Sequence, residues 1–151
     1  MTRIISGKFR GKIIKAPGKL TARPTTDFAK ESLFNILNNH FYFDEVKALD
    51  LFTGTGNLSY ELASRGCEDI IAVDQSKLAV RFISETASKL GFDGLQVVQS
   101  DALEYVKRDY HQYDLIIADP PYDYDKHVEL VEQIFFKRLL KEGGMLVVEH
   151  S

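Results

Sequence analysis

At 151 residues, 44% hydrophobic and 27% charged, the chain has the length and composition of one soluble globular domain with a substantial core. No apolar run approaches the roughly 20 residues that span a bilayer, and the basic start MTRIISGKFRGK lacks the apolar stretch of a secretory signal. A single cysteine, Cys67, suits a reducing cytoplasm, and His40, His111, His127 and His150 are too scattered for a metal site. The net charge of −3 is uneven: residues 1–30 carry +7 and the remainder −10. Such a basic segment on an acidic body fits either a polyanion footprint or a merely solvated hairpin.

In chain order, RIISGKFRGKIIKA (3–16) places β-branched pairs around Gly7 and Gly11, the pattern of a short hairpin. The loop PGKLTARPTTD follows, then FAKESLFNILNNHF, whose apolar residues fall at helical spacing behind Thr-Thr-Asp cap candidates. This divides the chain into a basic extension, residues 1–26, and one globular unit, residues 27–151. From residue 46 short apolar strands (VKALDLF, DIIAVD, LQVVQSD, YDLIIAD, MLVVEHS) alternate with helices, the last helix being read over HVELVEQIFFKRLLKEGG, residues 127–144. That alternation predicts an α/β fold, a doubly wound, mostly parallel sheet with helices on both faces.

In such sheets ligands lie beyond the carboxyl ends of the strands. DLFTGTGN puts Gly54 and Gly56 after the first core strand, where glycine allows a sharp turn and a close backbone approach. A dinucleotide fingerprint requires a third glycine where this chain has Ser59. Asp50, Asp74 and Asp101 come at the ends of three successive strands, a carboxylate rim suited to a neutral or cationic nucleoside rather than a pyrophosphate. The fourth strand stops at Asp119, followed by Pro120, Pro121 and Tyr122. Proline fixes the backbone there and removes two donors. An exocyclic amine is a poor nucleophile because its lone pair conjugates with the ring. The Asp119 carboxylate and Pro120 carbonyl could accept its N–H groups and push that pair back to nitrogen. Tyr122 offers a face on which an extruded base can stack.

With these motifs the chain resembles the AdoMet-dependent class I methyltransferases, and DPPY is their signature for methylating a nucleobase amine. The resemblance implies a Rossmann-like fold with a glycine loop formed by Asp50, Phe52, Thr53, Gly54 and Gly56. It implies ribose contacts by Asp74 with Gln75 and Ser76, and adenine contacts by Asp101 and Ala102. The N-terminal segment, with ARPTTDFAKESLFNIL, looks more narrowly like the RsmD-type small-subunit (16S) rRNA guanine-N2 methyltransferases. For this chain that implies an rRNA substrate, cytoplasmic location and S-adenosyl-L-methionine as cofactor. It also implies that Arg3, Lys8, Arg10 and Lys12 rest on RNA phosphate while Arg23, Thr25 and Thr26 lie over the active-site mouth.

Two departures accompany the resemblance. The acid ending the second core strand is often Glu in relatives and is Asp74 here. The family's C-terminal antiparallel hairpin is absent after MLVVEHS, which predicts a bare apolar edge. Either the chain is a truncated version or a second protomer covers that edge as a homodimer. The competing readings are an adenine-N6 methyltransferase, an NAD-dependent oxidoreductase, disfavoured by Ser59, and a non-catalytic RNA-binding module.

Overall fold

Side chains alternate along the core strands, and this alternation sorts the interior into two apolar layers. The computed structural model describes residues 2–20 and 26–149. Its elements are β1 (Thr2–Arg3), β2 (Ile13–Ile14), α1 (Asp27–Asn38), β3 (Lys47–Leu51), α2 (Asn57–Ser64), β4 (Asp69–Asp74), α3 (Lys77–Leu90), β5 (Leu95–Gln99), α4 (Ala102–Arg108), β6 (Tyr113–Ala118), α5 (His127–Phe136) and β7 (Leu140–Val148). Ala48, Ile70, Ala72, Leu115 and Ile117 pack with Phe34 and Leu37 of α1, Leu58 and Leu62 of α2, and Ile83 of α3. Their neighbours Leu49, Leu51, Ile71, Val73 and Ile116 pack on the other face with Leu103 and Val106 of α4 and Leu130 and Ile134 of α5. The expected doubly wound arrangement is therefore present, with β5-β4-β3-β6-β7 all paired in parallel.

The N-terminal strands are minimal, two residues each, paired antiparallel as Thr2 with Ile14 and Arg3 with Ile13. Tertiary contacts hold this hairpin in place. Ile4 and Ile14 enter the core, Lys8 N–H donates to the Ser64 carbonyl (2.8 Å), and the Ser64 hydroxyl donates to the Ser6 carbonyl (2.7 Å). Gly7 has φ +88° and lies so close to α2 that a Cβ would overlap the Ser64 carbonyl, so only glycine fits. Beneath the hairpin, Lys30 and Glu61 are a buried ion pair at 3.2 Å with side chains 2% and 0% exposed. Cys67 is buried as well, its thiol 3.3 Å from the Val46 carbonyl, and burial pushes its pKa up to about 11.

The last helix is shorter than residues 127–144. It stops at Phe136, Arg138 turns left-handed (φ 55°), Leu139 is buried, and Leu140 already pairs with Tyr113. Leu139 and Leu140 continue the helical apolar rhythm in sequence, but pairing with β6 uses them as the start of a strand. The register then slips between Tyr113 and Leu115, with Gly143 (φ +79°) in the bulge. Beyond β7 no strand pairs with its outer edge among the described residues, and Met145 through Val148 remain half-buried. No described helix is long and apolar enough to cross a membrane, and no metal-binding cluster of His, Cys, Asp or Glu occurs among the described residues.

Candidate active site

From β3 the chain winds outward through β4 and β5, then returns to place β6 on the other side of β3. The strand order reverses there, and a crevice opens beyond the carboxyl ends of β3 and β6. A cleft of about 840 Å³ occupies it, within the range of small-molecule sites. Asp50, Phe52, Thr53, Gly54, Asp74, Gln75, Ser76, Asp101, Ala102, Asp119, Pro120, Pro121 and Tyr122 all border this cleft. The sequence positions assigned to cofactor and catalysis thus converge, with one exception. Gly56 is not part of the wall; at φ +89° it begins α2, and a Cβ there would meet the Tyr60 ring. Its left-handed backbone and its close packing on Tyr60 both favour glycine at that position.

Asp50 is 1% exposed and accepts from the hydroxyls of Thr53 (2.8 Å) and Ser59 (2.6 Å). Ser59, notable in sequence only as a missing glycine, is therefore a ligand of the innermost acid. Burial raises the Asp50 pKa to about 6; the two hydroxyls oppose that rise, and the Asp119 and Asp74 charges add to it. Asp74 accepts from Gly54 N–H (2.8 Å) and Ser76 N–H (2.9 Å), which ties the glycine loop to the end of β4. Each carboxylate oxygen keeps a second lone pair for a ligand hydroxyl. Asp101 caps α4 by accepting from Glu104 N–H (3.0 Å). Phe52 adopts a left-handed backbone (φ 59°), uncommon for an aromatic residue and of the kind stored at functional sites. Its ring meets Tyr124 edge-on at 4.9 Å.

β6 delivers Asp119, whose N–H reaches the Leu51 carbonyl at 3.4 Å, and Pro120 is buried behind it. Tyr122 is 81% exposed at the rim. The cleft continues onto residues 16–20 of the N-terminal segment, which carry Lys19.

The other assigned residues lie apart from the cleft or have local partners. Thr26 is the N-cap of α1, accepting from Ala29 N–H (3.0 Å). Arg3 pairs with Asp27 at 2.7 Å, so its charge is already partnered. Arg23 and Thr25 fall outside the described residues. Lys8, Arg10 and Lys12 stay on the hairpin surface, and Lys12 joins Lys15 and Lys89 around a second groove of about 260 Å³ between β2 and α3. Lys30, counted in sequence with the basic segment, is buried against Glu61 and contributes nothing to the surface charge.

The cleft fits AdoMet. Its volume suits a nucleoside with an amino-acid arm, and its three inner carboxylates Asp50, Asp74 and Asp119 suit a ligand bearing a sulfonium and an ammonium.

Comparison with known proteins agrees. Residues 2–151 match the family model described as conserved hypothetical protein 95. The chain is 37% identical to a putative rRNA methyltransferase, YlbH, of Bacillus subtilis, over 99% of this chain and 82% of that protein. It is 28% identical to ribosomal RNA small subunit methyltransferase D of Escherichia coli K12, over 97% of this chain and 70% of that protein. The solved structure of a putative methyltransferase, yhhF, from Escherichia coli superposes with a TM-score of 0.89 at 27% identity, covering 98% of this chain and 81% of the other. The protein therefore belongs to the conserved hypothetical protein 95 family, the RsmD-type methyltransferases.

Proposed function

We propose that this methyltransferase transfers the methyl group of AdoMet to the exocyclic N2 amine of a guanine in small-subunit ribosomal RNA. The observation that carries the reading is the convergence of Asp119-Pro120-Pro121-Tyr122 with the glycine loop and the Asp74 acid on a single cleft. Bound AdoMet supplies an electrophilic methyl on a sulfonium. The protein's part is positioning and charge. Asp50, Thr53, Gly54 and Asp74 hold the cofactor, with Gln75, Ser76, Asp101 and Ala102 along its nucleoside. The Asp119 carboxylate and the Pro120 carbonyl accept the amine's N–H groups, orient its lone pair and stabilise the positive charge that develops on nitrogen. The proton leaves towards Asp119 and solvent. The guanine must be unpaired or extruded to reach these acceptors, and Tyr122 gives it a surface to stack on.

The rRNA assignment is supported by the relatives' names together with the charge of the hairpin face. Lys8, Arg10 and Lys12 stand on the hairpin, Lys15 and Lys89 line the groove beside α3, and Lys19 stands at the cleft mouth. A phosphate backbone can follow those cations from the groove to the cleft, with salt-dependent affinity. Incubating the protein with labelled AdoMet and 30S-derived rRNA lacking the modification should label the RNA, and nucleoside mass spectrometry should find N2-methylguanine. N6-methyladenine in its place would transfer the assignment to the other amine that DPPY serves.

The site also predicts a pH dependence. Because the folded pKa of Asp50 lies near 6, above its ordinary value of 3.8, ionised Asp50 costs native stability above pH 6, a cost relieved as the pH falls through 6. A cation in the cleft favours the ionised form. AdoMet affinity should therefore weaken by up to about tenfold from pH 7 to pH 5. S-adenosylhomocysteine, which lacks the sulfonium charge, should weaken less, and calorimetric titration of both ligands reads the difference.

A further inference from the structure

The second groove, between β2 and α3, has no part in methyl transfer itself. Its volume of about 260 Å³ falls below the usual range of about 300–1,000 Å³ for whole small-molecule ligands, so it suits one portion of a larger partner. Ile13, Phe82 and Leu90 give it an apolar floor, and its charged members are all cations, Lys12, Lys15 and Lys89. None of these three lysines makes an ion pair among the described residues. Arg3, Lys30, Lys47, Arg65, Lys107 and Lys141, by contrast, each have a carboxylate partner. A helix C-terminus by itself disfavours an anion, and Lys89 in the last turn of α3 offsets that. Ile13 is 49% exposed, an apolar side chain left open to solvent among those cations.

The groove continues the cleft along two elements. On the N-terminal segment, residues 12–15 line the groove and residues 16–20 line the cleft. On α3, Ala79 lines the cleft, while Phe82 and Leu90 line the groove. At 1.5 Å of rise per residue, the groove runs from about 5 Å to about 17 Å beyond Ala79 along the helix. A strand whose target base enters the cleft therefore has the groove as its next seat. Cations beside an apolar floor match a single-stranded nucleic acid, which offers phosphates and, between them, flat base faces. An acidic peptide would satisfy the lysines and leave Ile13 and Phe82 uncovered. A duplex keeps its base faces stacked inside.

We propose that the groove between β2 and α3 seats one unstacked base of the RNA strand that carries the target nucleotide, with Lys12, Lys15 and Lys89 on the flanking phosphates. The inference rests on the RNA methyltransferase reading above and adds to it an anchor outside the cleft. Holding a neighbouring nucleotide there fixes the strand before the target amine is aligned, so part of the positioning is done away from the reacting atoms.

The test uses the full chain and a short labelled single-stranded RNA containing one guanine, with binding followed by fluorescence anisotropy across a salt series. Lys89→Gln should weaken binding and reduce the slope of log affinity against log salt by about 0.7, the share of one phosphate contact on a single strand. Ile13→Ala should weaken binding about fivefold at every salt concentration and leave the slope unchanged, because it removes apolar contact and no charge. Both side chains are exposed, so melting temperatures should stay within about 2 °C of the natural protein. S-adenosylhomocysteine affinity should not change, because neither residue borders the cleft. A parallel loss of that affinity would overturn the proposal, since the substitutions would then act through the cofactor site. Normal RNA binding by Ile13→Ala would also overturn it, leaving phosphate contacts without a seated base. Weaker binding of poly-glutamate with RNA binding unaltered would give the groove to an acidic protein instead. If the unaltered protein bound no RNA at all, the functional reading would fall and this inference with it, whereas RNA binding indifferent to both substitutions would sink the groove alone.

Discussion

Asp119→Ala should lower the single-turnover rate of methyl transfer by about 10³-fold while S-adenosylhomocysteine still binds. The magnitude is that of removing a preorganised polar group from a developing charge. Asp119 comes after β6, where Pro120 is buried and fixes the chain, so alanine removes the carboxylate while the proline keeps the backbone in place. In the proposed mechanism the amine then keeps the Pro120 carbonyl but loses the oxygen that aims its second N–H. Asp119→Asn retains a carbonyl acceptor without the charge and should fall between alanine and the natural residue. Quenched-flow turnover at saturating RNA, with calorimetry on the same samples, separates chemistry from binding. A rate within tenfold of the natural protein for Asp119→Ala would remove Asp119 from the chemistry.

The largest effect on stability should come from Glu61. Its carboxylate accepts from Ile5 N–H (2.8 Å), Ser6 N–H (3.1 Å) and Arg65 Nε (2.7 Å), and pairs with Lys30. Lys30 also donates to the Arg3 carbonyl and to Asn57 Oδ1, each at 2.7 Å, and Arg65 stacks over Phe34 at 4.6 Å. Glu61→Ala leaves a buried ammonium uncompensated and two hairpin N–H groups unsatisfied. Breaking a buried pair this way costs about 3–5 kcal/mol. For a chain of this size the melting temperature should drop by roughly 10 °C or more. Glu61→Gln keeps one acceptor oxygen, enough for only one of the two hairpin N–H groups, and should fall between alanine and the natural residue. A drop of only a degree or two for Glu61→Ala would mean that the hairpin is not held through this residue. Because Asn57 also borders the cleft, the same network joins the N-terminal hairpin to the cleft.

Much of this was legible in the sequence, where local chemistry decides the structure. Apolar runs stop at Asp74 and Asp119, Asp50 lies one residue before the end of β3 and Asp101 just beyond β5, and the doubly wound order brings these strand ends to one side. The parts that were not legible depend on distant partners. Lys30 reads as a surface cation until α2 places Glu61 beneath it. Ser59 reads as an absent glycine until Asp50 accepts its hydroxyl at 2.6 Å. The end of α5 was misplaced because Leu139 and Leu140 fit both a helical stripe and a strand, and β6 is what selects between them.

The chain's single thiol offers a practical use for these couplings. Cys67 sits in the same core as Phe34 and Leu62, and its thiol is both shielded and held protonated. A thiol-specific reagent can reach it only when that layer parts, so the rate of modification clocks the opening of the molecule. Followed with and without cofactor, and in the Glu61 variants, one chemical readout would report how firmly the hairpin, α2 and the cleft are clamped together.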